Sequence, residues 1–152
     1  MHVTAKADYA VRAVVELADS SPDSPRRVDS LAEAQGIPVS FLENILPQLR
    51  SSGIVRSRRG PMGGYWLARP PAEVNLADII RAVEGPLVGV RGRRPEELEY
   101  LGSAATLQQV WVALRVNLRK VLEHVTVADV AAGKLPKDVL ALTRQEEAWQ
   151  TR

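Results

Sequence analysis

The stretch SRRGPMGGYWLARP, residues 57–70, gathers positive charge and backbone freedom in one place. Gly60, Gly63 and Gly64 permit a positive φ, and Pro61 presets the φ that a turn needs. Arg56, Arg58 and Arg59 lead in; Tyr65, Trp66 and Leu67, all strand-favouring, lead out. This order predicts a β-hairpin with arginines near its tip. Glycines let a backbone come close to phosphates, and Arg58 and Arg59 would supply the charge. The surroundings point the same way. From Asn44 to Ala72 there is no acidic residue, whereas Arg50, Arg56, Arg58, Arg59 and Arg69 are all basic, in a chain whose net charge is only +2. A surface that faces a polyanion has this pattern. A solvated strip is the plainer alternative.

Other chemistries are thinly represented. The 152 residues include no cysteine, which excludes disulfides, thiolate catalysis and cysteine-held zinc or iron–sulfur clusters. His2 and His124 are far apart and lack a supporting motif, so no metal and no cofactor are expected. No nucleophile motif, phosphate loop or pocketed carboxylate pair suggests an enzyme. The hydrophobic share of 45% and charged share of 25% are ordinary for a globular chain. No apolar run is long enough to span a membrane. Asp8 and Glu16 interrupt the N-terminal apolar region, which therefore does not read as a signal peptide, and a cytoplasmic location is expected.

The elements that must position the hairpin follow from periodicity. Ala10, Ala13, Val14, Leu17 and Ala18 form one stripe of a helix over about Thr4–Asp19, with Thr4 placed to cap it. SSPDSPRR reads as a loop. A short helix in DSLAEAQG has Ser30 and Glu33 at capping-box spacing and Gly36 just past its end. After an Ile37-Pro38 turn comes a helix in VSFLENILPQLRSSG, with Leu42, Ile45, Leu46 and Leu49 inward; this stripe passes Pro47, which predicts a kink rather than a stop. Beyond the hairpin, Asn75 caps a helix that buries Leu76, Ile79, Ile80 and Val83. PLVGVRGRRPEELEYLGS reads as a loop and hinge. The last large element, AATLQQVWVALRVNLRKVLEHV, spaces Leu107, Val110, Trp111, Leu114, Leu118, Val121, Leu122 and Val125 by threes and fours. Its predicted length is roughly 33 Å. That stripe is too long for a small domain to cover, so it calls for a partner.

Two helices joined by QGIP and followed by a hairpin make a winged helix-turn-helix. Its second helix can lie in a DNA major groove, and its wing can reach a minor groove. At this point the chain resembles a known family. VTAKADYAVRA, IPVSFLENIL, GIVRSRRGPMGGYWLARPP and VEGP are similar to the motifs of the Rrf family of bacterial winged helix-turn-helix regulators. The match is close from about Met1 to Pro86 and looser over the long helix and TVADV.

The resemblance implies a mainly α fold: a winged helix-turn-helix domain with a long C-terminal dimerisation helix. By position it implies that Ser40, Phe41, Glu43 and Asn44 begin a recognition helix. Arg59 and Gly60 would form the wing tip, Thr4, Lys6 and Tyr9 would meet phosphates, and Arg50, Arg58, Gly63 and Gly64 are further DNA-binding candidates. Thr4 as a mere cap, Tyr9 as packing and Phe41 as half core remain open. Leu107, Trp111, Leu114, Leu118, Val121, Leu122 and Val125 would form the dimer interface. Cluster-binding members carry three cysteines in the loop before the long helix; here that loop has none, so no cluster is expected. The expected organisation is a DNA-binding domain over 1–85, a linker over 86–102, a dimerisation helix and short closing helix over 103–133, and a polar, partly mobile tail over 134–152. The expected function is a homodimeric regulator, a repressor that reads a pseudo-palindromic double-stranded DNA site. Control by a protein partner, or by a small molecule between the wing domain and the long helix near Trp111, are the alternatives. Arg91, Arg93 and Arg94 are candidates for an anion or simply an exposed loop.

Overall fold

The structure is a computed structural model and describes residues 2–151. Helix α1 (Ala5–Glu16) begins where Thr4, in extended conformation, accepts a hydrogen bond from the Ala7 N–H through its side chain. Its inward face is lined by Ala7, Ala10, Ala13 and Val14, and small side chains there let α1 sit at the centre of the domain, against α2 (Val28–Gln35), α3 (Val39–Ser51), α4 (Leu76–Glu84) and α6 (Val127–Ala131). Leu31, Leu42, Ile45, Leu46, Leu49 and Ile79 are buried in the resulting core. Each such side chain is worth about 1.5–3 kcal/mol of burial.

Gly36 ends α2 in the left-handed conformation, as its position predicts. The capping box expected at Ser30 and Glu33 does not form. α2 starts earlier, at Val28, and Ser30 Oγ instead accepts hydrogen bonds from the Arg26 guanidinium at 3.0 and 3.2 Å. The cause is tertiary. Arg26 exchanges both backbone hydrogen bonds with Tyr65 (2.8 and 2.7 Å), which fixes where the chain enters α2. The SSPDSPRR loop thereby adds a one-residue third strand to the wing. α3 runs unbroken through Pro47 to Ser51. The hairpin pairs β1 (Val55–Arg58) with β2 (Gly64–Leu67) in antiparallel register, Val55 opposite Leu67 and Arg58 opposite Gly64. Val55 and Leu67 point into the core and anchor the wing to the helices.

The linker is packed rather than open. Val88, Pro95 and Leu98 are buried, and two short 3-10 turns, Pro95–Glu97 and Gly102–Ala104, break it up. Helix α5 (Leu107–Leu122) has sixteen residues, close to 24 Å, shorter than its periodicity predicts. At its start Gly102, at φ +60°, opens a 3-10 turn; at its end the chain must bend back to the domain. Val125 there accepts a hydrogen bond from Leu76, and Val127 donates one to Val74. Val125 is accordingly 3% exposed within the single chain, a core residue and not part of an interface stripe. No residue of α5 is fully buried. The segment expected as a polar, partly mobile tail contains α7 (Lys137–Thr143) and a 3-10 turn at Glu146–Trp149, tied together by Trp149 Nε1 donating to the Thr143 carbonyl at 2.6 Å.

Candidate nucleic-acid interface

α3 is two-sided for a simple reason: Leu42, Ile45, Leu46 and Leu49 recur at helical spacing and turn inward, which leaves Ser40, Phe41, Glu43 and Asn44 facing out. Ser40 and Glu43 make no hydrogen bond or ion pair among the described residues. Asn44 is exposed and accepts from Gln48 Nε2 (2.9 Å) through Oδ1, and its amide N–H₂ has no partner among the described residues. Phe41 is 46% exposed and meets the Tyr9 ring edge-on, centroids 5.3 Å apart at 81°. Tyr9 is half-buried and packs on Phe41 of α3, and the Arg12 guanidinium lies 5.4 Å from its ring centroid.

Lys6 sits where three helices meet. Its Nζ donates to Gln48 Oε1 (2.9 Å) and to the Val83 carbonyl (2.7 Å), bracing α1 to α3 and α4. With Ser40, Phe41, Asn44 and Ile45 it lines a shallow hollow of about 310 Å³. Two of its three donors are thus committed inward, and one is left for an external acceptor. Gln48 links Lys6 to Asn44, a role the sequence reading missed; its place four residues after Asn44 was the available signal. Thr4 lies elsewhere. It caps α1 and donates to Glu84, beside a different groove bounded by Leu118 and Leu122.

The wing arginines divide into two kinds. Arg58 is committed inward, to its own hairpin and to the 20–27 loop: it donates to the carbonyls of Pro22 (2.9 Å) and Met62 (3.3 Å) and lies 5.8 Å from the Trp66 ring centroid. Arg50 donates to Ser57 Oγ at 3.2 Å. Arg59, at the tip, is exposed and makes no hydrogen bond or ion pair among the described residues. Its neighbour Gly60 has φ +104° with open space where a Cβ would stand. The other two glycines have an inward reason. A Cβ on Gly63 would lie 2.1 Å from the Arg58 carbonyl oxygen, and one on Gly64 would lie 2.6 Å from the Arg26 carbonyl oxygen. They are needed for the wing to close on itself and on its third strand, whatever the backbone there meets outside.

A helix pair at a tight turn, an outward polar start to the second helix, and a wing with a free arginine at its tip define a winged helix-turn-helix protein of the DNA-binding class. The comparisons agree. The chain belongs to the Rrf2 family, whose model, described as an iron-dependent transcriptional regulator, matches residues 3–133. It is 47% identical over 151 residues to Rv1287 of Mycobacterium tuberculosis, named as an HTH-type transcriptional regulator, covering 99% of this chain and 94% of that one. Among solved structures, CymR of B. subtilis, titled the global cysteine regulator, is 29% identical, with TM-score 0.72 over 88% of this chain and 98% of that one. T. potens IscR is 32% identical, with TM-score 0.67 over 100% and 93%. The chain is a transcriptional regulator of this family, whose named relatives are regulators rather than enzymes.

The iron in the family's description does not fit this donor set. The sequence holds no cysteine. His124 stands 3.2 Å from Asp138, and among the described residues no three His, Asp or Glu side chains gather as a metal would require. Nor, among those residues, is any helix long and apolar enough to cross a membrane.

Proposed function

We propose that this protein is a homodimeric repressor that reads a pseudo-palindromic operator through α3 and the wing, without an iron–sulfur cluster. The observation that carries this reading is the free outward edge of α3 and the wing together: Ser40, Glu43 and the Asn44 amide on the helix, and unpaired Arg59 at the tip. Glu43 would accept from a cytosine amino group, Asn44 and Ser40 would contact base edges or phosphates, and Arg59 would enter a flanking minor groove. Lys6 would give its remaining donor to a phosphate. Arg58 and Gly60 would hold the wing tip in shape and Arg50 would steady the α3–β1 corner.

The dimer is supported by α5. Leu107, Trp111, Leu114, Leu118, Val121 and Leu122 are only half-buried, and Val110 and Val116 are exposed, so the helix carries an apolar surface that its own chain does not cover. Leu118 and Leu122 also border a groove of about 470 Å³ with Val3, Ala7, Ile80 and Leu87. Pairing with a second α5 would bury this surface and set two recognition helices about 34–36 Å apart, one turn of B-DNA. The test is selection of fragments of the source genome on the purified protein, followed by titration of the enriched site against salt. Binding with a slope of log affinity against log salt on the order of −5 to −10 is expected. Absence of any enriched fragment, or a slope near zero, refutes the reading.

A further inference from the structure

Away from the α3 face, four arginines from three segments converge on one open pocket of about 480 Å³: Arg81 of α4, Arg94 of the linker, and Arg115 and Arg119 of α5. Glu96 is the one carboxylate among its lining residues. The carboxylates around it are heavily shared. A single oxygen of Glu123, Oε1, accepts from Arg81 (2.5 Å) and from Arg119 (2.9 Å), and Asp78 takes a second donor of Arg81 (3.1 Å). Glu96 pairs with Nη1 of Arg115. Arg115 Nε nevertheless remains buried with no acceptor. The Arg94 guanidinium has no hydrogen bond or ion pair among the described residues and only faces Glu96 through space. Counting Glu96, Glu123 and Asp78 against the four arginines leaves one positive charge in excess, and the exposed, unpaired Arg94 guanidinium is the donor open to an incoming acceptor.

The pocket wall is held in shape beforehand. Arg91 and Gly92 both have positive φ (+53° and +74°) at the centre of the Val90–Arg93 two-residue hairpin, a turn that glycine and asparagine usually make and that strains an arginine. The Arg91 guanidinium lies 5.7 Å from the Tyr100 ring centroid, and the Tyr100 hydroxyl accepts from Trp111 Nε1 at 3.0 Å. Strain at this turn is thus compensated by anchoring to α5, and the turn delivers Arg94 to the pocket.

We infer that this pocket binds a small polyanion carrying phosphate or carboxylate groups, through Arg94 and Arg115 with Arg81 and Arg119 behind them. An anion there bridges α4, which packs with the recognition helix, to α5. It therefore sets how the wing domain sits on the long helix, and it is the effector input of the regulator. The effector role rests on the DNA-binding reading above; binding of the anion does not.

Isothermal titration of the full chain with pyrophosphate, and separately with citrate, reads binding directly, with sodium chloride at matched ionic strength as the reference. Wild type and Arg59→Ala should take up one equivalent of at least one probe. Arg94→Ala and Arg115→Gln should bind it at least tenfold more weakly. Arg94 is exposed and unpaired, so its variant folds independently of the result for Arg115. Which probe binds separates a phosphate site from a carboxylate site. No heat above the chloride reference with either probe overturns the proposal, as does equal affinity in both pocket variants, or loss in Arg59→Ala with retention in Arg94→Ala. The effector role is read by anisotropy of the enriched DNA site with and without the bound probe. A change in affinity of at least threefold in wild type, absent in Arg94→Ala, supports it; an unchanged affinity with the probe bound overturns it. Failure of any DNA to bind would leave the titration result standing and refute the function proposed above instead.

Discussion

Gly63→Ala should disable the wing more severely than a change at the more exposed Gly60. A Cβ at residue 63 would stand 2.1 Å from the Arg58 carbonyl oxygen, 2.8 Å from the Arg59 carbonyl carbon and 2.9 Å from that of Arg58. All three are backbone atoms, so no side chain can swing aside. The β1–β2 turn must open, and with it the register that pairs Arg58 with Gly64. Overpacking of this kind costs about 1–3 kcal/mol and sometimes more. At about 2–4 °C per kcal/mol for a chain of this size, the upper end of that range lowers the melting temperature by roughly 6–12 °C. If only the wing opens, the loss appears instead as faster amide exchange at Gly63, Tyr65 and Arg26, whose hydrogen bonds close the tip and the third strand. Gly60→Ala meets open space and suffers only its φ of +104°, and at about 1–2 kcal/mol it should be the milder change. Differential scanning calorimetry and hydrogen exchange of the two variants check the order. Equal melting and equal exchange in wild type and Gly63→Ala would refute the account of why that glycine is there.

Arg59→Ala should weaken operator binding by about 1–3 kcal/mol with unchanged melting, mostly at A·T-rich flanks, whereas Ser40→Ala should act on the operator core; a set of mutated operators in an anisotropy assay separates them. Leu114→Glu with Leu118→Glu should yield a monomeric or insoluble chain without operator binding, because carboxylates would be buried unpaired in the α5 pair; sedimentation of wild type as a monomer at micromolar concentration would refute this. Glu123 is held below the usual carboxylate range by hydrogen bonds from Arg81 and then Arg119. A depressed folded-state value adds stability above the unfolded value and loses it as pH falls through the folded one. Glu123→Gln should therefore melt lower than wild type at neutral pH and match it in acid, a convergence that melting curves across pH check. Its hydrogen bond to Glu123, and a further one to Asp78, raise Arg81 above its already high value, so Arg81 stays charged at all ordinary pH and the acid limb belongs to the carboxylate.

Local chemistry carried much of this protein in its sequence. Thr4, Asn75, Thr126 and Gly36 mark helix ends because a side-chain oxygen three residues before an N–H, or a residue without a Cβ, satisfies a terminus with no help from distant chain. The α3 stripe of Leu42, Ile45, Leu46 and Leu49 was legible for the same reason: 3.6-residue periodicity decides which face turns inward, and so which residues remain to face outward. The hairpin was legible from its turn residues. What stayed hidden depends on segments far apart in the chain. The Arg26–Tyr65 strand bridge moved the start of α2, the return of Val125 to the core shortened α5, and the gathering of Arg81, Arg94, Arg115 and Arg119 made a pocket of residues spread over three segments. Tertiary packing alone also sorted the arginines, turning Arg58 back onto the carbonyls of Pro22 and Met62 and leaving Arg59 free. Two adjacent residues of one type have the same local signal. Only the position of acceptors brought near by the fold distinguishes the one that holds the wing together from the one that can reach outward.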